Sequence, residues 1–180
     1  MTTATTHGHT PIETDRLVLR QLTQDDSAFL AETASKPEIC RMIARVPKRF
    51  PVLAAEIFVT RTRLGERSGR CLVRLITSRE TGVRLGIIGL DAAGGGVFDL
   101  GYWMAPSAWG RGYVTEAARA MIAAARTRGI ARLTAGNFLD NPASARVLDK
   151  LGFTPTGETL DLFSFGRMAK APCRRVAMAL

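Results

Sequence analysis

The sequence predicts a single α/β (α+β) domain, and three observations carry that prediction. Segments with the two-residue period of strands alternate with segments of helical period, in the order β-α-α-β-β-β-α-β-α-β-β. The 180 residues are 46% hydrophobic and 23% charged, and no linker, internal repeat or low-complexity stretch divides them. At the centre, residues 100–128 read as a buried strand, a glycine turn and a helix in immediate succession.

Each element follows from its own pattern. Residues 1–11 are Thr-rich without apolar periodicity and are expected to form a disordered tail, so the domain runs from 12 to 180. Residues 16–21 alternate, with Leu17 and Leu19 on one side, and form the first strand. Thr23 and Asp26 are spaced as a capping box that opens a helix through Ala34, with Phe29 and Leu30 on its apolar face. Pro37 interrupts it. A second helical piece is expected over 38–45, ending at the Pro47–Pro51 break, and residues 52–64 place Leu53, Ile57 and Leu64 near helical spacing. RCLVRLIT (70–77) and VRLGIIGLD (83–91) read as antiparallel strands around a turn at 80–82. A second tight turn at 94–96 precedes the fourth strand, 97–104. After the central helix, residues 130–137 read as a strand. Residues 142–151 form a short helix capped by Asn141, opened by Pro142 and closed by Gly152. Residues 153–157 and 173–180 complete the sheet.

Composition excludes several function classes. No apolar run approaches spanning length, so no membrane helix is expected. The start, MTTATTHGHTP, has neither an apolar core nor a basic lead, so no secretory signal is read there and a cytoplasmic location is expected. Cys40, Cys71 and Cys173 are far apart and odd in number, without a Cys-x-x-Cys pair. With His7 and His9 read as solvated tail residues, neither a disulfide framework nor a metal site is expected. The net charge of +9 raises the question of nucleic acid, yet the arginines are scattered and not interleaved with stacking aromatics. Contact with nucleic acid or ribosome is the minority reading.

The central stretch carries the chemistry. The first amides of a helix lack internal acceptors, and the helix dipole leaves partial positive charge there. Gly110 and Gly112 let backbone approach an anion without Cβ obstruction, so a phosphate or diphosphate is the expected ligand. On spacing alone, a plain tight turn fits equally well. The stretch is not G-x-G-x-x-G, because Thr115 stands where the third glycine would fall, and no Gly-Lys-Ser/Thr follows.

Three segments in order settle the choice by resemblance. GYWMAPSAWGRGYVTEA (101–117) resembles the acyl-CoA loop of the GNAT superfamily of N-acetyltransferases. ETDRLVLRQLTQDD (13–26) and NFLDNPASARVLDKLGF (137–153) resemble the branch that holds the ribosomal-protein alanine acetyltransferases, the RimJ/RimL-like enzymes. The resemblance implies a mixed, mostly antiparallel twisted sheet of about six or seven strands, flanked by helices and splayed at its central strands. It implies acetyl-CoA as co-substrate, no metal, and a helical pair after the first strand as one wall of the acceptor site. Diphosphate oxygens would meet the backbone of Gly110, Arg111, Gly112, Tyr113, Val114 and Thr115. Trp109 and Val114 replace the usual residues at the ends of that loop. The pantetheine arm would meet Trp103, Met104 and Ala105, and Asn137, Asn141 and Ser144 would cluster near the thiol.

Asp99 lies two residues before the Gly-Tyr pair, where relatives carry an acid. Burial among apolar neighbours is what makes a carboxylate basic enough to take a proton, here through water; the alternative is that Asp99 faces solvent or pairs with an arginine. Leu148 stands where many relatives have the tyrosine that protonates the leaving thiolate; the resemblance then implies that Ser144 supplies the hydrogen bond, or that the thiolate leaves unaided. The function expected is direct acetyl transfer from acetyl-CoA to a primary amine, either a protein N-terminus or a small molecule, by a monomer or homodimer. A non-catalytic acyl-CoA-binding sensor or scaffold is the alternative. The segment 159–175, which helps shape the acceptor pocket, carries no readable motif.

Overall fold

The computed structural model describes residues 10–180; the expected tail lies mostly outside them, and Thr10 and Pro11 precede the first strand, exposed. Eight strands form one sheet in the order β1-β2-β3-β4-β5-β6-β8-β7. They are β1 (Ile12–Glu13), β2 (Leu17–Arg20), β3 (Cys71–Ser78), β4 (Arg84–Gly94), β5 (Val97–Met104), β6 (Arg132–Phe138), β7 (Thr154–Ser164) and β8 (Ala169–Ala179). The helices are α1 (Ser27–Ala34, entered through a 3₁₀ turn at Gln24–Asp26), α2 (Pro37–Cys40), α3 (Val52–Arg67), α4 (Tyr113–Thr127) and α5 (Pro142–Leu151). All neighbouring strands are antiparallel except β5 and β6. The two-residue β1 is the strand beyond the expected range.

The sheet separates two apolar layers. On one face Leu17, Leu72, Ile88, Leu90, Leu100 and Leu133 pack against Ala117, Ala118, Met121, Ile122 and Ala125 of α4 and Leu148 of α5. These α4 positions recur at helical spacing, so one stripe of the helix is buried. Full burial of Met121 and Ile122 contributes roughly 1.5–3 kcal/mol each. On the other face Leu22, Leu30, Ala55, Val59, Val73, Leu75 and Trp103 join α1 and α3 to the sheet. A buried ion pair ties α3 down: Arg74 meets Glu66 Oε1 at 2.6 Å, the Val73 N–H donates to the same oxygen, and the Gln21 amide donates to Oε2.

Three expectations fail for physical reasons. The piece expected over 38–45 stops at Cys40, because tertiary partners take the carbonyls that a longer helix would use. Arg167 Nε donates to the Arg41 carbonyl, Ser164 Oγ to Ile43 and the Phe165 N–H to Ala44. Leu53, Ile57 and Leu64 face solvent, while Ala55, Val59, Thr62 and Gly65 form the buried side of α3. Strands β7 and β8 extend far into the segment left without a motif. Strand β7 lies at the sheet edge with nearly every residue exposed, so it lacks the alternation that marks a half-buried strand.

Candidate active site

The parallel pairing of β5 with β6 runs only from Val97 opposite Arg132 to Leu100 opposite Ala135. Both strands continue, β5 to Met104 and β6 to Phe138, so the sheet splays after Leu100. Alternation then assigns side chains to the two faces of the split. Phe98, Leu100, Tyr102 and Met104 point to the α4/α5 face, and Asp99 and Trp103 to the α1/α3 face.

The glycine turn sits at the end of β5. Gly110 and Gly112 adopt left-handed φ of +73° and +75°, the region open to glycine without a Cβ penalty. Gly112 is the N-cap of α4 and offers no side chain, so no side-chain oxygen occupies the first amides of the helix. Nothing lies within 4 Å of a Cβ built at Gly110. An uncapped helix end behind an open, left-handed turn fits a diphosphate. Tyr113, Val114 and Thr115 lie in the first turn of α4, and Val114 packs on the core instead of crowding the turn. Trp109 secures the loop to the strand, its indole Nε1 donating to the Met104 carbonyl at 2.8 Å.

The strand-end contacts need correction. The Ala105 N–H donates to the Leu85 carbonyl at 2.7 Å, with Gly86 opposite Met104. By the alternation of an antiparallel ladder, the Trp103 backbone therefore faces β4, and its side chain packs in the α1/α3 layer beside Phe29. The backbone facing the splay belongs to Tyr102 and Met104, not to Trp103 or Ala105.

Around α5, Asn141 Oδ1 accepts the Ser144 N–H at 3.1 Å, so its side-chain oxygen serves as the helix cap. Asn137 is buried; its amide donates to the Phe138 carbonyl, and its oxygen accepts from Arg174. Its role in the fold is to join β6 to β8. Ser144 Oγ lies 2.9 Å from the Tyr102 hydroxyl. Burial pushes the Tyr102 phenol up to about 12 against that hydrogen bond, so it stays protonated at neutral pH. Leu148 is buried in the core, and the tyrosine near Ser144 comes from β5 instead.

Asp99 pairs with an arginine, the alternative to burial among apolar neighbours. Its Oδ1 accepts from Thr134 Oγ1 at 2.8 Å and from Arg175 Nη2 at 2.5 Å, and Asp91 stands opposite it on β4. Both contacts fall on Oδ1, which leaves Oδ2 for a further partner. Burial raises Asp91 above the ordinary carboxylate range, Arg45 opposes this and Asp99 adds to it. Tyr102, Thr134, Arg175 and the network of Arg16 with Glu116 were not singled out from sequence. Tyr102 and Arg16 lie inside the quoted motifs, whereas Thr134 and Arg175 acquire meaning only from the register of β5, β6 and β8. Among the described residues, no group of His, Cys, Asp and Glu side chains is arranged to hold a metal ion, and no helix is long and apolar enough to cross a membrane.

Residues 16–154 match the profile of the Acetyltransferase (GNAT) domain. The chain is 28% identical over 154 residues to the uncharacterised N-acetyltransferase YoaA of Bacillus subtilis, covering 81% of this chain and 84% of that protein. Among solved structures it is similar to RimL, the ribosomal L7/L12 alpha-N-protein acetyltransferase in complex with coenzyme A. That match has a TM-score of 0.84 at 18% identity and covers 95% of this chain and 98% of the other. It is also similar to Mycobacterium smegmatis RimJ in complex with CoA-disulfide, with a TM-score of 0.79 at 23% identity, covering 91% and 81% of the two chains. With the profile spanning most of its length and the fold in agreement, the chain belongs to the GNAT family as an acyl-CoA-dependent acetyltransferase.

Proposed function

We propose that this enzyme passes the acetyl group of acetyl-CoA to a primary amine by direct attack, the amine being a protein N-terminus or that of a small molecule. The observation that carries this reading is the uncapped N-terminus of α4 behind Gly110 and Gly112, set where β5 and β6 part. In it, the backbone from Gly110 to Thr115 holds the diphosphate and the edge of β5 that faces the split, at Tyr102 and Met104, guides the pantetheine arm. Similarity to ribosomal-protein acetyltransferases supports a protein N-terminus and a cytoplasmic setting.

Asp99, in the paired stretch of β5 just before the split, and Ser144, beside Tyr102, lie on opposite faces of the sheet. Asp99 accepts, through water, the proton that the attacking amine sheds, with Arg175 and Thr134 fixing its orientation. As the C–N bond forms and the C–S bond breaks, Ser144 hydrogen-bonds to the departing thiolate, and Tyr102 orients the Ser144 hydroxyl. The net result moves the acetyl group from sulfur to the amine nitrogen and one proton from the amine to the sulfur. No cysteine is required: Cys71 and Cys173 are both raised by burial, Cys71 to about 11, and are poor nucleophiles.

Calorimetric titration with acetyl-CoA tests the reading, with Gly112→Glu as the blocked-loop control. Micromolar binding that the variant loses supports it, and a screen of peptide N-termini and small amines follows. A folded wild-type protein that fails to bind acetyl-CoA overturns it. Once an acceptor is found, Asp99→Asn should lower kcat at neutral pH about 100-fold with acetyl-CoA affinity retained.

A further inference from the structure

The turn that receives the diphosphate is held by a residue nearly a hundred positions away. Arg16, at the entrance to β2, donates from Nη1 to the Arg111 carbonyl at 3.0 Å. Its Nε and Nη2 meet Glu116 Oε2 at 2.7 and 2.6 Å, and its guanidinium lies over the Tyr113 ring, 4.7 Å from the centroid. Glu116 in turn accepts the Arg16 N–H and the Thr14 hydroxyl on Oε1, at 3.0 and 2.6 Å. Although its side chain is half exposed, Arg16 is therefore fixed at both ends of its guanidinium.

We propose that Arg16 is a positioning residue for the cofactor loop. It pins the Arg111–Gly112 peptide in one orientation and neutralises the one carboxylate in the first turn of α4. The inference rests on the acyl-CoA reading above.

The geometry supplies two reasons. In a trans peptide the C=O and the following N–H point in opposite directions. Holding the Arg111 carbonyl toward Arg16 turns the Gly112 N–H away from Arg16. Gly112 tolerates either sign of φ, so without the pin this peptide can flip at little cost and withdraw a donor from the anion. The second reason is charge. Glu116 stands in the first turn of the helix that faces the diphosphate. Burial works against its charge, but the bonds from Thr14 and Arg16 hold it below the usual carboxylate range, so it stays ionised. Unpaired, that carboxylate would repel a polyanion; paired with Arg16, it becomes the strut that aims the guanidinium at the loop.

The test uses Arg16→Ala, Arg16→Lys and the wild type, titrated calorimetrically with CoA and with 3′-phospho-ADP, its diphosphate-bearing half. Thermal unfolding verifies that each variant folds. Arg16→Ala is expected to weaken both ligands about tenfold, the scale of a lost charge-assisted bond. Its KM for acetyl-CoA should rise by the same factor, with kcat within about twofold. Arg16→Lys keeps the charge but not the three-point fork and should fall between the two. Affinity for CoA within about twofold of wild type in Arg16→Ala, or a fall in kcat with KM unchanged, overturns the assignment. A wild type that binds neither ligand sinks the acyl-CoA reading itself, a different outcome from wild-type binding that Arg16→Ala leaves intact.

Discussion

Replacing Asp26 by Asn tests how the entrance to α1 is attached to the sheet. Asp26 is fully buried where the 3₁₀ turn meets α1. Arg20 of β2 grips it through two bonds of 2.8 and 2.7 Å, Arg84 of β4 adds a third at 2.8 Å, and the Thr23 N–H a fourth at 2.9 Å. Burial opposes the charge, but Arg20, Thr23 and Arg84 together outweigh it and hold the carboxyl well below its ordinary range. Breaking a buried ion pair by removing one partner costs about 3–5 kcal/mol. Here both arginines are partly exposed, with side-chain accessibilities of 31% and 39%, so water recovers part of their solvation. A loss of about 2–3 kcal/mol is expected, equivalent to roughly 1 M in the urea midpoint at unchanged m-value. The pH dependence has a definite sign. A carboxylate depressed in the folded state contributes stability that is present above its unfolded value, 3.8, and disappears as pH falls through the folded one. The gap between wild type and Asp26→Asn should therefore be widest near neutrality and shrink below about pH 4. Urea melts at pH 7, 5, 4 and 3 measure it. Equal midpoints at pH 7, or a gap that persists unchanged at pH 3, would refute the role given to the Asp26 charge.

Two further outcomes follow from the site. Ser144→Ala should lower kcat about 10-fold or more while acetyl-CoA binding is retained, and Tyr102→Phe should lower it less. Because the two hydroxyls are 2.9 Å apart, the double variant should be no worse than Ser144→Ala alone, and additive losses in a steady-state double-mutant cycle would show that they act separately. Gly86→Ala should unfold the splay region: a Cβ there meets the Trp103 carbonyl oxygen at 2.2 Å and Met104 Cα at 2.9 Å, both backbone. A thermal midpoint lower by roughly 4 °C or more is expected, and an unchanged midpoint would show that β4 and β5 can part at no cost.

Much of the molecule is legible in the residues alone because its signals are local. The capping pattern of α5, with Asn141, Pro142 and Gly152 in their places, depends on a few neighbouring amides and one left-handed residue. The buried stripe of α4 and the glycine turn before it are likewise written in spacing. Together with the three motifs they are sufficient to state the family and the fold. The tertiary structure decided what depends on partners distant in the chain. The sequence neighbours of Asp99 are apolar, yet its surroundings come from Thr134 and Arg175, set beside it by strand register. Trp103 is adjacent to the splay in sequence, but the ladder turns its backbone toward β4. The chain after Cys40 has helical periodicity, but the β7–β8 turn captures its carbonyls. Periodicity reports which side of an element is apolar; which groups meet across elements is set by register and packing, and there the reactive side chains acquire their partners.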